Sequence, residues 1–159
     1  GVGDIIVPES EKREIPIQLE GFAKPVVSTY SIETTIAEKL DAILDLMEFS
    51  SRMKDYYDIY YIANTFDFNG ETLAKALRTT IENRGHNFTI EQFNRVVTFA
   101  DDINMQKKWK LFIRKIDVKT DEYSVVIDTI KTFLAKPFAS AVENTEFNKK
   151  WSASKCRWL

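Results

Sequence analysis

One cysteine and one histidine stand in 159 residues, with five glycines and four prolines. The lone Cys156 excludes an internal disulfide framework and fits a reducing compartment. Together, Cys156 and His86 are too few for a His/Cys metal site. Cys156 also makes a poor nucleophile, because it lies near the C-terminus and His86 sits in a loop-like Arg-Gly-His-Asn. So little glycine and proline argues against a disordered or low-complexity chain. Neither sign of charge dominates: 22 Lys and Arg against 24 Asp and Glu, a formal charge of −2 and a pI near 5.6 give no overall pull toward nucleic acid. No apolar run approaches the roughly 20 residues needed to cross a bilayer, and no signal-peptide pattern is present. These absences predict a cytoplasmic protein with no membrane contact. What remains is 44% hydrophobic, enough for one well-packed domain. The chain opens without Met, on Gly1-Val2-Gly3-Asp4-Ile5-Ile6-Val7-Pro8, as if in mid-strand, which predicts a piece of a longer protein.

The most informative stretch runs from Tyr30 to Asp58. At about 100° per residue, Ile32, Ile36, Leu40, Ile43, Leu44 and Met47 form one apolar stripe of a helix that Ser31 can cap. Glu38, Asp41 and Asp45 are expected on the far side, in water. Glu33, however, falls inside the stripe and Lys39 on its margin. In a second helix Ile59, Ile62 and Ala63 define the buried direction, and Arg52, Asp55 and Asp58 point along it. A charge facing a core costs several kcal/mol (roughly) unless it is paired or used. Each charge also has a plainer explanation. Arg52 and Asp55 suit an i,i+3 pair on the rim, and Lys39 could lay its stem on apolar surface with its ammonium in water. Five such charges across one helix–turn–helix favour a site.

Around this pair, residues 2–7, 15–17 and 22–27 read as extended pieces, with the prolines suited to an edge. Asp67-Phe68-Asn69-Gly70 reads as a turn, with Asn69 capping a helix from about Glu71 to Asn83. Thr89 and Gln92 form a capping-box pattern that opens a short helix to about Phe99. Asn104 to Ile116 carries Trp109, Phe112, Ile113 and Ile116 at helical spacing. Its Lys107, Lys108, Lys110, Arg114 and Lys115 read first as a solvated face and second as an RNA-backbone contact. A last helix runs from Asp121 to Leu134, stopped by Lys136-Pro137. Residues 138–159 then form a tail laid on the surface by Phe147, Trp151 and Trp158. Tyr56, Tyr57, Tyr60 and Tyr61 invite base stacking but read better as packing. The expected fold is mainly α, a bundle of about five to six helices with a small β remnant at the N-terminus. It divides into residues 1–28 (end of a sheet), 29–137 (helical domain) and 138–159 (tail).

Two segments carry a resemblance: Tyr30-Ser31-Ile32-Glu33-Thr34-Thr35-Ile36-Ala37-Glu38-Lys39-Leu40 and Arg52-Met53-Lys54-Asp55-Tyr56-Tyr57-Asp58-Ile59-Tyr60. In order and separation they resemble the "iAEKl" and "R-x-K-D-x-x-D" motifs of AbiEii-type nucleotidyltransferase toxins, found in bacterial abortive-infection and toxin–antitoxin systems. That resemblance extends from Gly1 to about Pro137. It implies the C-terminal part of a polymerase-β-like enzyme that transfers nucleotides from NTP to RNA, with tRNA the expected acceptor, using Mg²⁺. It further implies Lys39 on the nucleotide phosphates and Asp55 or Asp58 as the essential carboxylate. Arg52 and Lys54 are expected to contact nucleotide or RNA, and Glu33 and Glu38 to act behind them. The family opens with a Gly-Ser loop and an Asp-x-Asp pair, and this sequence contains neither. Asp4 matches a non-ligand aspartate of the family, so no metal ligand is expected within the chain. The chain alone is therefore expected to bind neither Mg²⁺ nor NTP and to be inactive, with the N-terminal half of the same protein, an RNA and a cognate antitoxin as partners. The competing expectation is a non-catalytic helical module that binds RNA or a partner protein.

Overall fold

In the computed structural model, which describes residues 31–159, six helices surround one core. They are α1 (Ile32–Leu46), α2 (Met53–Thr65), α3 (Gly70–Asn83), α4 (Ile90–Thr98), α5 (Ile103–Ile116) and α6 (Tyr123–Glu143). Three very short strands, β1 (Phe68–Asn69), β2 (Lys150–Ser152) and β3 (Arg157–Trp158), make an antiparallel sheet in the order β1-β2-β3. The chain is mainly α, as its periodicity implies. The extended pieces expected at residues 2–7, 15–17 and 22–27 lie outside the described residues.

Local chemistry sets most helix starts. Ser31, Asn69 and Asp102 each accept a backbone N–H of the first turn, at 3.1, 3.0 and 2.9 Å. Thr89 and Gln92 complete the reciprocal capping box, which satisfies two N–H groups that would otherwise lack partners. Asp117 and Asn144 end α5 and α6 in the left-handed conformation that closes many helices. The N-terminal half of α1 is buried on every side, from Ser31 through Ala37. A helix enclosed all round is a central one. α1 packs chiefly on α3, and α6 spans the bundle against α2, α3, α4 and α5.

Two expectations fail at the C-terminus. Pro137 does not stop the last helix, which continues through it to Glu143. A proline there withholds the N–H that would bond the Phe133 carbonyl four residues earlier. The indole Nε1 of Trp158 donates to that same carbonyl at 3.0 Å instead. The tail is also more than a surface strap. Trp151 is 1% exposed, donates from Nε1 to the Ala63 carbonyl at 2.7 Å, and packs at a tilt on Phe133 with ring centroids 4.9 Å apart. Asp67-Phe68-Asn69, expected as a plain turn, supplies the strand β1 that pairs with β2. Phe147 and Trp158 remain partly buried anchors, in edge contact with each other.

Candidate active site

α1 and α2 cross so that Lys39 lies between two carboxylates of the next helix. Its Nζ stands 3.3 Å from Asp55 Oδ1 and 3.0 Å from Asp58 Oδ2, with side-chain exposures of 7%, 1% and 0% in that order. Asp55 and Asp58 are three residues apart and so share one face of α2. That face also carries Ile59 and Ile62, which are fully buried. Each carboxylate draws a second cation from its own helix start. Arg52 Nε lies 3.2 Å from Asp55 Oδ2, and Lys54 Nζ lies 2.8 Å from Asp58 Oδ2. These outer cations are half-exposed, and Arg52 stands at the start of α2 rather than inside its buried face. Asp58 Oδ1 has no hydrogen-bond partner among the described residues.

The structure thus brings Lys39, Arg52, Lys54, Asp55 and Asp58 into one cluster. Glu33 is buried within α1, and Glu38 faces Arg84 at 3.9 Å. Asp41 departs from its expected place. It is 3% exposed and not solvated, because the end of α3 and the following loop fold back onto that side of α1. His86 Nδ1 meets Asp41 Oδ2 at 2.9 Å, and Nε2 lies 3.9 Å from Asp45 Oδ1. Burial pushes the Asp41 carboxyl above its ordinary value of 3.8, while His86 and Arg84 pull it back. This His86–Asp41 contact lines a cavity of about 560 Å³ that Asp45, Asn83, Arg84 and Arg52 share. No helical period reveals it, since the partner arrives from 45 residues away. The sequence signal available was the loop Arg84-Gly85-His86, whose Gly85 takes a positive φ of 67° and turns the chain back.

The tyrosine run is mixed in its placement. Tyr56 is fully buried against Tyr123, and burial pushes its phenol up to about 12. Tyr57, Tyr60 and Tyr61 are partly buried, with Tyr57 packed on Trp109 and Phe112. In the basic cluster of α5, Lys108 is not simply solvated. Its ammonium donates to the carbonyls of Glu48 and Ser50 at 3.1 and 3.0 Å. Cys156 is half-buried with its thiol pushed up by burial, which makes it a weaker nucleophile still.

A divalent cation does not fit the Lys39 cluster. Mg²⁺ takes oxygens at about 2.0–2.1 Å, and each carboxylate here already holds Lys39 and a second cation. An ion would have to evict a buried ammonium. Among the described residues no group of three or more His, Cys, Asp or Glu is placed to hold a metal. An ammonium with limited exposure, flanked by two half-exposed cations, suits an anion with several oxygens such as a phosphate chain.

A family model described as nucleotidyl transferase AbiEii toxin, type IV TA system, matches residues 1–144. The protein is therefore of the nucleotidyltransferase toxin class. It belongs to the AbiEii family of type IV toxin–antitoxin systems. No curated protein and no solved structure matches the chain. Among the described residues no helix is long and apolar enough to cross a membrane.

Proposed function

We propose that this chain supplies the helical, phosphate-gripping part of an enzyme that transfers nucleotides from NTP to RNA, with tRNA the acceptor class. One observation carries the reading: Lys39 of the first motif lies within 3.3 Å of both aspartates of the second. In such a transfer an RNA hydroxyl attacks the α-phosphorus of the NTP, and the bond to pyrophosphate breaks as the new ester bond forms. Lys39 serves as a fixed positive charge for the triphosphate. A charge held in place before the reaction stabilises the departing oxygens without reorganising. Asp55 and Asp58 already face the Lys39 ammonium, so they act as positioning residues that hold and direct it. Arg52 and Lys54, exposed at the start of α2, extend the grip toward phosphate or RNA. Glu33 and Glu38 support α1 from behind.

Mg²⁺ would supply charge neutralisation at the phosphates in this chemistry, and the Gly-Ser and Asp-x-Asp elements that would together bind it and the nucleotide are not among the 159 residues. The chain alone is then inactive, and its partners are a protein half bearing those elements, the RNA, and an antitoxin. Incubation with radiolabelled NTP and tRNA tests this, with and without the half that bears the two motifs. Labelling only when both are present is the expected result. Labelling of tRNA by the 159-residue chain alone would overturn the proposal.

A further inference from the structure

Between α1 and α2 the chain makes a single 3-10 turn, Met47–Phe49, and displays at its end the most exposed large hydrophobic among the described residues. Phe49 is 86% exposed. An isolated apolar side chain on a surface is ordinary. This one is held by an unusual amount of structure. Met47 adopts φ 51° and ψ −138°, a conformation that L side chains rarely take. Lys108 of α5 grips the turn from below through the carbonyls of Glu48 and Ser50. Glu48 is in turn paired with Arg95 of α4. The Ser50 hydroxyl accepts from the Arg52 N–H at 3.0 Å and ties the far side of the turn to α2. Three helices thus fix a loop whose outward product is one bare ring.

The surroundings decide what that ring fits. The two segments joined by Lys108 are residues 46–54 and 107–115. They carry Arg52, Lys54, Lys107, Lys108 and Lys115, with Glu48 as the acid between them and exposed Asp45 just ahead of the first segment; Lys110 and Arg114 lie on the other side of α5, beside Asp121 and Glu122. Glu48 is paired with Arg95, and the two acids of the Lys39 cluster, Asp55 and Asp58, are buried. Leu111 and Lys115 follow Lys108 at i+3 and i+7, so they continue the same strip of α5, and both are exposed. An aromatic face beside a basic strip is the pairing that proteins use for single-stranded nucleic acid: the ring takes a base and the cations take the backbone. Leu46 and Leu111 are also exposed near the ring, and the cations around them favour a polyanion over an apolar protein surface.

We propose that Phe49 is a stacking platform for an unpaired base of the RNA acceptor, delivering the strand past Arg52 toward Lys39. Phe49 and Arg52 are three residues apart, which at full extension is about 10 Å. The turn keeps the two closer than that, within the reach of a nucleotide, so a base on Phe49 leaves a neighbouring phosphate for Arg52. The inference deepens the RNA-acceptor reading given above and rests on it for the direction of the strand.

The test is binding, not turnover: fluorescence anisotropy of a labelled single-stranded RNA 12-mer with the full 159-residue chain at low salt. Phe49→Ala is expected to weaken binding about tenfold or more. Phe49→Tyr should restore it and Phe49→Leu should not, because leucine keeps apolar area without a π-face. The ring lies on the surface, so circular dichroism melts should stay unchanged in all three. Wild-type affinity in Phe49→Ala overturns the inference. So does full RNA binding by Phe49→Leu, which would show that apolar area and not a π-face holds the base. A Phe49-dependent affinity in a protein that never transfers nucleotides, even with a half bearing the Gly-Ser and Asp-x-Asp motifs supplied, would sink the enzymatic reading and leave the platform standing.

Discussion

A lysine at 7% exposure between carboxylates at 1% and 0% is an internal ion cluster, and its energetics follow from that. Removing one member of a buried pair leaves an uncompensated charge and costs about 3–5 kcal/mol. Lys39→Ala is therefore expected to lower the urea midpoint strongly. The triple change Lys39→Met, Asp55→Asn, Asp58→Asn removes all three charges together and should recover most of that stability in the same urea melts. It should not recover activity. A second residue-scale prediction concerns Asp41. Burial raises its folded pKa above 3.8, so the folded chain holds that proton more tightly than the unfolded chain. The stability due to this group then falls as pH rises from about 4 through the raised value. Asp41→Asn should abolish that part of the slope. Urea unfolding of both proteins between pH 3.5 and 6.5 checks it: the stability of the wild type relative to the variant should rise as the solution is acidified.

At the scale of elements, the last helix poses the sharpest question, because Pro137 sits inside it. The Phe133 carbonyl, in a residue with no exposed surface, receives its donor from Trp158. Trp158→Phe should leave that carbonyl without a partner and cost about 1–3 kcal/mol. Pro137→Ala restores the helical N–H, so in that background the cost of Trp158→Phe should shrink. A double-mutant cycle read by thermal melts measures the coupling. The same elements explain what could be read from the chain in advance. Helices held by short-range chemistry were legible: the caps at Ser31 and Asn69 and the capping box at Thr89 and Gln92 each lie within three residues of the groups they satisfy. So was the inward turn of Lys39, Asp55 and Asp58, because a charge out of phase with its own stripe is visible in one helix. The continuation through Pro137 was not, since its compensating donor lies 21 residues further on. Nor was the burial of Asp41, which depends on where the end of α3 returns.

Taken whole, the molecule is closed by its C-terminal segment. β2 pairs with β1, Trp151 fills the space beside Phe133 and Ala63, and Gly70 donates its N–H to the Lys149 carbonyl at 2.8 Å. That approach leaves no room for a side chain at residue 70. A Cβ there would meet the Lys149 carbonyl oxygen and the Phe147 ring at 2.7 Å. Gly70→Ala is expected to cost about 1–3 kcal/mol through overpacking, and deletion of residues 145–159 considerably more, because it uncovers Phe133 and strips donors from the Ala63 and Phe133 carbonyls. Thermal melts of the two variants rank them. The helical pair bearing Lys39 is thus held from behind by a segment remote from the chemistry.

The most direct check of the account is nucleotidyl transfer by Lys39→Gln, assayed with the motif-bearing half supplied, and limited to the fraction shown by circular dichroism to be folded. Lys39 as the triphosphate grip predicts a loss of transfer of about a hundredfold or more, with RNA affinity retained. A folded Lys39→Gln protein that transfers nucleotides at the wild-type rate would contradict it.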